Sequence, residues 1–195
     1  MPREKTFDQI EVVKNALFLF WKHGFHKTSI KDLVKYLGVN RASLYDTFED
    51  KEGLFISCFQ TYKKTQMDAV KEILNKYQNP KEGLKHLFDF ILNSICSDPD
   101  RKGEFISNTI SDFLPKTGII EKHLKETKEE AVTLIEDYLK KGVKNGYIKK
   151  DRNIKGLANS IIATAIGSTA LSKIGSLDKE VKENLLNNLD IILCV

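Results

Sequence analysis

Apolar residues in this chain of 195 residues return at intervals of three and four from end to end. Strict alternation of apolar and polar residues, the mark of a half-buried strand, is scarce. Ile10, Val13, Leu17 and Phe20 make one stripe. Leu84, Leu87, Phe88, Ile91, Leu92 and Ile95 make another, and Val181, Leu185, Leu186, Leu189 and Ile192 a last. The prolines, Pro2, Pro80, Pro99 and Pro115, stand where these stripes begin or end. The fold class this dictates is all-α.

Capping residues set the expected boundaries. A first helix runs from about Lys5 to His23 and ends at Gly24. Thr28 or Ser29 can cap a second that reaches Tyr36, and Ser29 with Asp32 has capping-box spacing. Asn40 can cap a short third helix ending near Thr47, and Asp50 a fourth that reaches as far as Tyr77. Asn79-Pro80 opens a fifth, which Asp98-Pro99 closes. A sixth covers about Lys102 to Asp112 and a long seventh about Thr117 to Lys144. The helices expected over 153–173 and 178–193 are apolar around much of their circumference. Such helices are buried on more than one side, within their own chain or against another subunit.

Composition narrows the function classes. A hydrophobic share of 41% and a charged share of 30% are those of a soluble globular protein. The net charge of +4 permits nucleic-acid binding without demanding it. Cys58, Cys96 and Cys194 are few, odd in number and far apart, which points to a reducing compartment, the cytoplasm, rather than a disulfide framework. No basic-then-apolar leader and no run of about 18 apolar residues is read, so neither a secretory signal nor a membrane span is expected. His23 and His26 flank the helix-breaking Gly24, and His86 and His123 are isolated, so no metal site is expected. Without a nucleophile elbow, a phosphate-cradling glycine loop or a dinucleotide fingerprint, neither an enzyme nor a cofactor is expected.

One segment carries function. Thr28 to Phe48 reads TSIKDLVKYLGVNRASLYDTF: two short helices joined at Leu37-Gly38-Val39. Leu33, Val34, Leu37, Val39 and Leu44 can share one small core. This is a helix-turn-helix pattern, whose second helix enters the major groove of DNA. Arg41 suits a bidentate contact with guanine; Ala42 and Ser43 let the helix sit deep, and Ala42 can touch a thymine methyl. Tyr45 and Thr47 carry hydroxyls for phosphate oxygens, and Asn40 caps the reading helix. Thr28 and Ser29 bring a helix N-terminus suited to phosphate. Lys51 is a further phosphate candidate, Lys27 and Lys5 weaker ones. Asp46 should face away from phosphates or meet a cytosine amino group.

From about Ala16 to Phe55 the chain resembles the DNA-binding region of the TetR/AcrR family of bacterial repressors. The matching residues are Leu17-Phe18, Gly24, Thr28-Ser29-Ile30, Asp32-Leu33, Gly38-Val39, Leu44-Tyr45, Phe48 and Lys51-Glu52. Asn40 stands where Ser or Thr is more usual, and Asp46 departs from the basic or aromatic residue common there. The resemblance implies about nine helices, three of them in a DNA-binding head. It implies a two-fold homodimer built from the last two helices, a ligand cavity in the C-terminal part, and release of a double-stranded operator when a small-molecule effector binds. The division expected is a head over 1–48 and a ligand-binding and dimerisation domain over 49–195. Phe88, Leu92, Phe105, Thr109, Phe113, Leu134 and Tyr138 are the candidate lining of an apolar or amphipathic ligand site. The rival reading is a helical small-molecule-binding dimer without specific DNA binding.

Overall fold

The computed structural model describes residues 7–96, 100, 102–113, 118–173 and 183. The described residues form α1 (Gln9–His23), α2 (Ile30–Leu37), α3 (Arg41–Phe48), α4 (Lys51–Asn75), α5 (Pro80–Cys96), α6 (Phe105–Phe113), α7 (Ile119–Lys144) and α8 (Ile154–Lys173), and no strand is found among them. The helix expected over 178–193 lies outside the described residues.

The first four helices are fixed by their caps. Asp8 accepts from the Ile10 amide at 2.8 Å, Asn40 from Ser43 at 2.7 Å and Asp50 from Gly53 at 2.8 Å, each supplying a partner to an amide the helix leaves unpaired. Of the two candidates for the cap of α2, Ser29 takes the role. Asp32 completes its box, receiving the Ser29 amide at 3.0 Å while Ser29 Oγ accepts from the Asp32 amide at 3.1 Å. Gly38 ends α2 at φ +67° and ψ 20°, a left-handed backbone that glycine adopts without strain. After α3 the chain turns at Glu49, which holds φ +68° although it has a side chain.

Two hydrophobic clusters organise the interior. The first joins Val12, Val13, Ala16, Leu19 and Phe20 of α1 to Leu33 of α2, Leu44 and Phe48 of α3, and Leu54 to Tyr62 along α4. It continues into Phe105 and Phe113 of α6 and Ile120 and Leu124 of α7. The expected division at 48/49 therefore runs through a single core. The second gathers Leu74, Leu84, Leu87 and Phe88 with Val132, Ile135, Tyr138 and Leu139 of α7, and Leu157, Ala158 and Ile161 of α8. The α4 helix runs from one cluster to the other.

By length and composition α8 is apolar enough to cross a membrane. The core helix of a globular protein meets the same measure, and small and hydroxylated residues, Gly156, Ser160, Thr164, Gly167 and Ser168, interrupt the aliphatic ones. The helix packs on α5 and α7, with Leu157, Ala158, Ile161, Ser168 and Thr169 buried. Ile166 and Leu171 stand open.

Candidate nucleic-acid interface

The interface is built on α2, the left-handed turn at Gly38, and α3. Leu33 is the one residue of α2 that is fully buried; Ile30, Val34 and Leu37 are partly covered beside it. On α3, Leu44 and Phe48 lie four residues apart and face inward together. That pins the opposite face outward: Arg41, Ala42 and Asp46 are exposed, and Ser43, Tyr45 and Thr47 half-buried.

Arg41 and Tyr45 are four apart and meet on this face. A guanidinium nitrogen of Arg41 donates to the Tyr45 hydroxyl at 3.3 Å, and the guanidinium carbon lies 5.3 Å from the ring centroid. The planar cation rests on the aromatic face with donors left over for an acceptor in front of it. Asn40 is exposed, its side-chain oxygen occupied by the Ser43 amide. Ser29 is exposed at the start of α2, and its hydrogen bonds hold the Asp32 carboxyl below the usual carboxylate range.

Thr28 and Lys51 are placed differently from the rest. Thr28 is buried, and its hydroxyl donates to the Gly24 carbonyl at 2.7 Å. The Lys51 ammonium donates to the carbonyls of Phe25 at 3.0 Å and Thr28 at 3.1 Å and sits 4.1 Å from the centre of the Phe25 ring. Burial lowers the pKa of Lys51 from the ordinary lysine value.

Phe25 and Asp112 have no signal in the sequence. The Phe25 amide donates to an Asp112 carboxylate oxygen on α6 at 3.3 Å, across 87 residues. Gly24 lets that carboxylate approach: a Cβ there would lie 2.7 Å from Asp112 Oδ2, and the backbone holds φ +80°. Nearby, Trp21 Nε1 donates to the Gly103 carbonyl at 3.0 Å. Two polar contacts thus tie the end of α1 to the segment that carries α6.

The residues expected to line a ligand site are shared between the two hydrophobic clusters and the space beside them. Phe105 and Phe113 belong to the first cluster and Phe88 and Tyr138 to the second; Leu92 and Thr109 are buried. Apolar residues at helical spacing serve as core before they serve as lining. A cleft of about 420 Å³ between α4 and α7 is bordered by Leu134 and Tyr138, with Lys71, Asn75 and Lys141 at its rim. The Tyr138 hydroxyl is already engaged with the carbonyls of Tyr77 at 3.0 Å and Asn79 at 3.2 Å. Among the described residues no group of three or more His, Cys, Asp or Glu is placed to hold a metal ion.

A capped helix, a left-handed turn and a second helix whose outer face sets Arg41 among small and hydroxylated residues, on an all-helical body, define a helix-turn-helix DNA-binding regulator. Residues 12–58 match the family model of the bacterial regulatory proteins, tetR family. It is 27% identical over 197 residues to the uncharacterized HTH-type transcriptional regulator YezE of Bacillus subtilis, covering 100% of this chain and 99% of that one. It is also 27% identical to the HTH-type transcriptional repressor ComR of Escherichia coli, over 91% of this chain and 85% of that one. Among solved structures, the TetR family regulator CifR, a cysteine mutant complexed with a 26-base-pair double-strand operator DNA, superposes with a TM-score of 0.82. The identity is 22%, and the match covers 100% of this chain and 98% of that one. FadR of Bacillus subtilis, in complex with stearoyl-CoA, superposes with a TM-score of 0.77 at 16% identity, over 93% and 97%. These last two likenesses are likenesses of fold.

Proposed function

We propose that this regulator is a homodimeric repressor that reads a near-palindromic operator through α3 and leaves it when a small molecule occupies the C-terminal part. The observation that carries the reading is the outer face of α3. Arg41, Ala42, Ser43, Tyr45 and Thr47 share it while Leu44 and Phe48 fix the helix from behind. Arg41 and Ala42 read base edges. Tyr45 and Thr47 reach phosphates, joined by Ser29 at the start of α2, and Asn40 sets the N-terminus of the reading helix. Thr28, being buried, contributes from behind this surface. The head over 1–48 carries recognition, and 49–195 carries ligand binding and dimerisation. The setting is the cytoplasm, where operator DNA is accessible.

A second copy is the proposed cover for the open apolar side of α8, together with the segment over 178–193. Two reading helices joined in this way would lie one DNA turn apart, about 34–36 Å. The operator complex of CifR and the stearoyl-CoA complex of FadR support the two halves of the reading, DNA and an amphipathic small-molecule effector. Effector and operator oppose one another if each favours a different separation of the heads; such coupling is reciprocal and changes affinity by roughly 5–150-fold.

The test is selection of bound duplexes from a random pool, followed by titration of the recovered duplex and of unselected DNA at several salt concentrations. Preference for the recovered duplex, weakening steeply with salt, is expected. Arg41→Ala should relax discrimination at the guanine it reads by about 1–3 kcal/mol. A folded dimer that enriches no sequence favours the rival reading, a small-molecule-binding dimer without specific DNA binding.

A further inference from the structure

The Lys51 ammonium is turned onto backbone carbonyls of its own chain. We propose that Lys51 is a positioning residue, which gathers the carbonyls of Phe25 and Thr28 and so sets the N-terminus of α2, rather than a phosphate ligand. The proposal rests on the DNA-binding reading above and names what holds one part of that site in place.

An ammonium group has three hydrogens and no acceptor. Two of the Lys51 hydrogens are accounted for by the Phe25 carbonyl at 3.0 Å and the Thr28 carbonyl at 3.1 Å. The remaining side of the cation lies against the Phe25 ring, 4.1 Å from its centroid, an attraction that grows as water is excluded. The group is half-buried, and burial depresses its pKa, as for a cation held among carbonyls rather than one reaching into solvent.

What the cation holds is the entry to α2. The Thr28 carbonyl directly precedes Ser29, the cap whose box with Asp32 starts the helix. The Thr28 hydroxyl is tied back to Gly24 at 2.7 Å. Phe25 is gripped at both ends of its backbone, its amide by Asp112 at 3.3 Å and its carbonyl by Lys51. Its ring packs on Phe55 and Phe113 at centroid distances of 5.1 and 5.0 Å. Lys51 itself opens α4 behind the Asp50 cap. It therefore links the start of α4 to the start of α2, and the amides that α2 offers to a phosphate take their direction from that link.

Salt dependence distinguishes the two roles. A lysine that neutralises a phosphate releases a counterion, so its loss lowers the slope of log K against log salt by about 0.9. Loss of a lysine that positions backbone lowers affinity equally at every salt concentration. The probe is the duplex recovered by selection with the wild-type chain. Lys51→Met should weaken binding on the order of tenfold, the scale of a lost charge-assisted hydrogen bond, with the slope unchanged. Amide exchange over 26–33 should quicken in the same variant. In the wild-type chain, which does not depend on the variant folding, the Lys51 ammonium nitrogen should give a protected NMR signal that keeps its position when the duplex is added. A slope reduced by about 0.9, a signal that moves on DNA addition, or unchanged affinity in a folded Lys51→Met protein overturns the positioning role while leaving DNA binding intact. A wild-type chain that prefers no selected duplex overturns both readings.

Discussion

Leu33→Ala puts the seating of α2 to a quantitative test. Leu33 is wholly inaccessible and is the only residue of the eight in α2 that is fully buried. Truncation removes Cγ and both Cδ carbons. At about 0.8 kcal/mol per buried carbon group the transfer term is roughly 2.4 kcal/mol. The space left behind is walled by helices that are themselves capped, so it collapses only in part, and the total comes to about 3–4 kcal/mol. For a chain of this size that lowers the melting temperature by roughly 10 °C. Domains hold about 5–15 kcal/mol in all, so most molecules stay folded and binding remains measurable. Because α2 and the Gly38 turn support α3 from one side, the variant should also lose affinity for a selected duplex by about tenfold or more. Leu33→Ile, nearly equal in volume, should cost less than about 1.5 kcal/mol. Urea denaturation followed by circular dichroism, with duplex titration at one salt concentration, measures both effects. A loss under about 1 kcal/mol with affinity unchanged would refute the reasoning, because it would mean that the half-buried Ile30, Val34 and Leu37 hold α2 without an anchor.

Three further outcomes are expected. Glu49→Gly should raise stability by about 1 kcal/mol in the same denaturation assay, since relief of a positive φ at a residue with a side chain exceeds the extra entropy glycine brings to the unfolded chain; a loss of stability would speak against strain at this turn. The Tyr138 phenol is pushed up to about 12 by burial and by the charge of Glu82. Its folded pKa lies above its unfolded one, so its contribution is intact below pH 10 and is lost as pH rises toward 12, and Tyr138→Phe should flatten that part of the stability profile. Cys58 is buried, donates to the Val13 carbonyl at 3.4 Å and has its pKa raised by desolvation; peptide mapping after iodoacetamide treatment at pH 8 should find it unmodified in the native protein and alkylated in urea.

The head was largely readable before any coordinates, for a physical reason. Caps are interactions between residues three apart, so Asn40, Asp50 and the Ser29–Asp32 pair announce their helices within one turn of chain. The choice of Ser29 over Thr28 was open in the sequence because both carry a hydroxyl. It is settled by Asp32, which lies three residues beyond Ser29 and four beyond Thr28. The remainder depends on contacts that chain order does not encode. The partners of Lys51 lie 23 and 26 residues away, that of Trp21 lies 82 away and that of Phe25 lies 87 away. The ligand lining is less legible than the head for a related reason. Periodicity shows which side of a helix is apolar, and Phe88 and Phe105 satisfy it equally well in two separate cores.

The first hydrophobic cluster limits how this protein can be taken apart. Phe55, Phe105 and Phe113 contribute to the same interior as Leu33 and Leu44. A fragment ending after α3 would expose the inner faces of α1 and α3 to water. Chimeras that exchange reading helices between relatives are therefore better joined along α4, beyond Tyr62, with a matching α6 brought from the same parent. By the same token, variation at Phe105 or Phe113, remote from any DNA contact, offers evolution a way to retune operator affinity while every residue of α3 stays as it is.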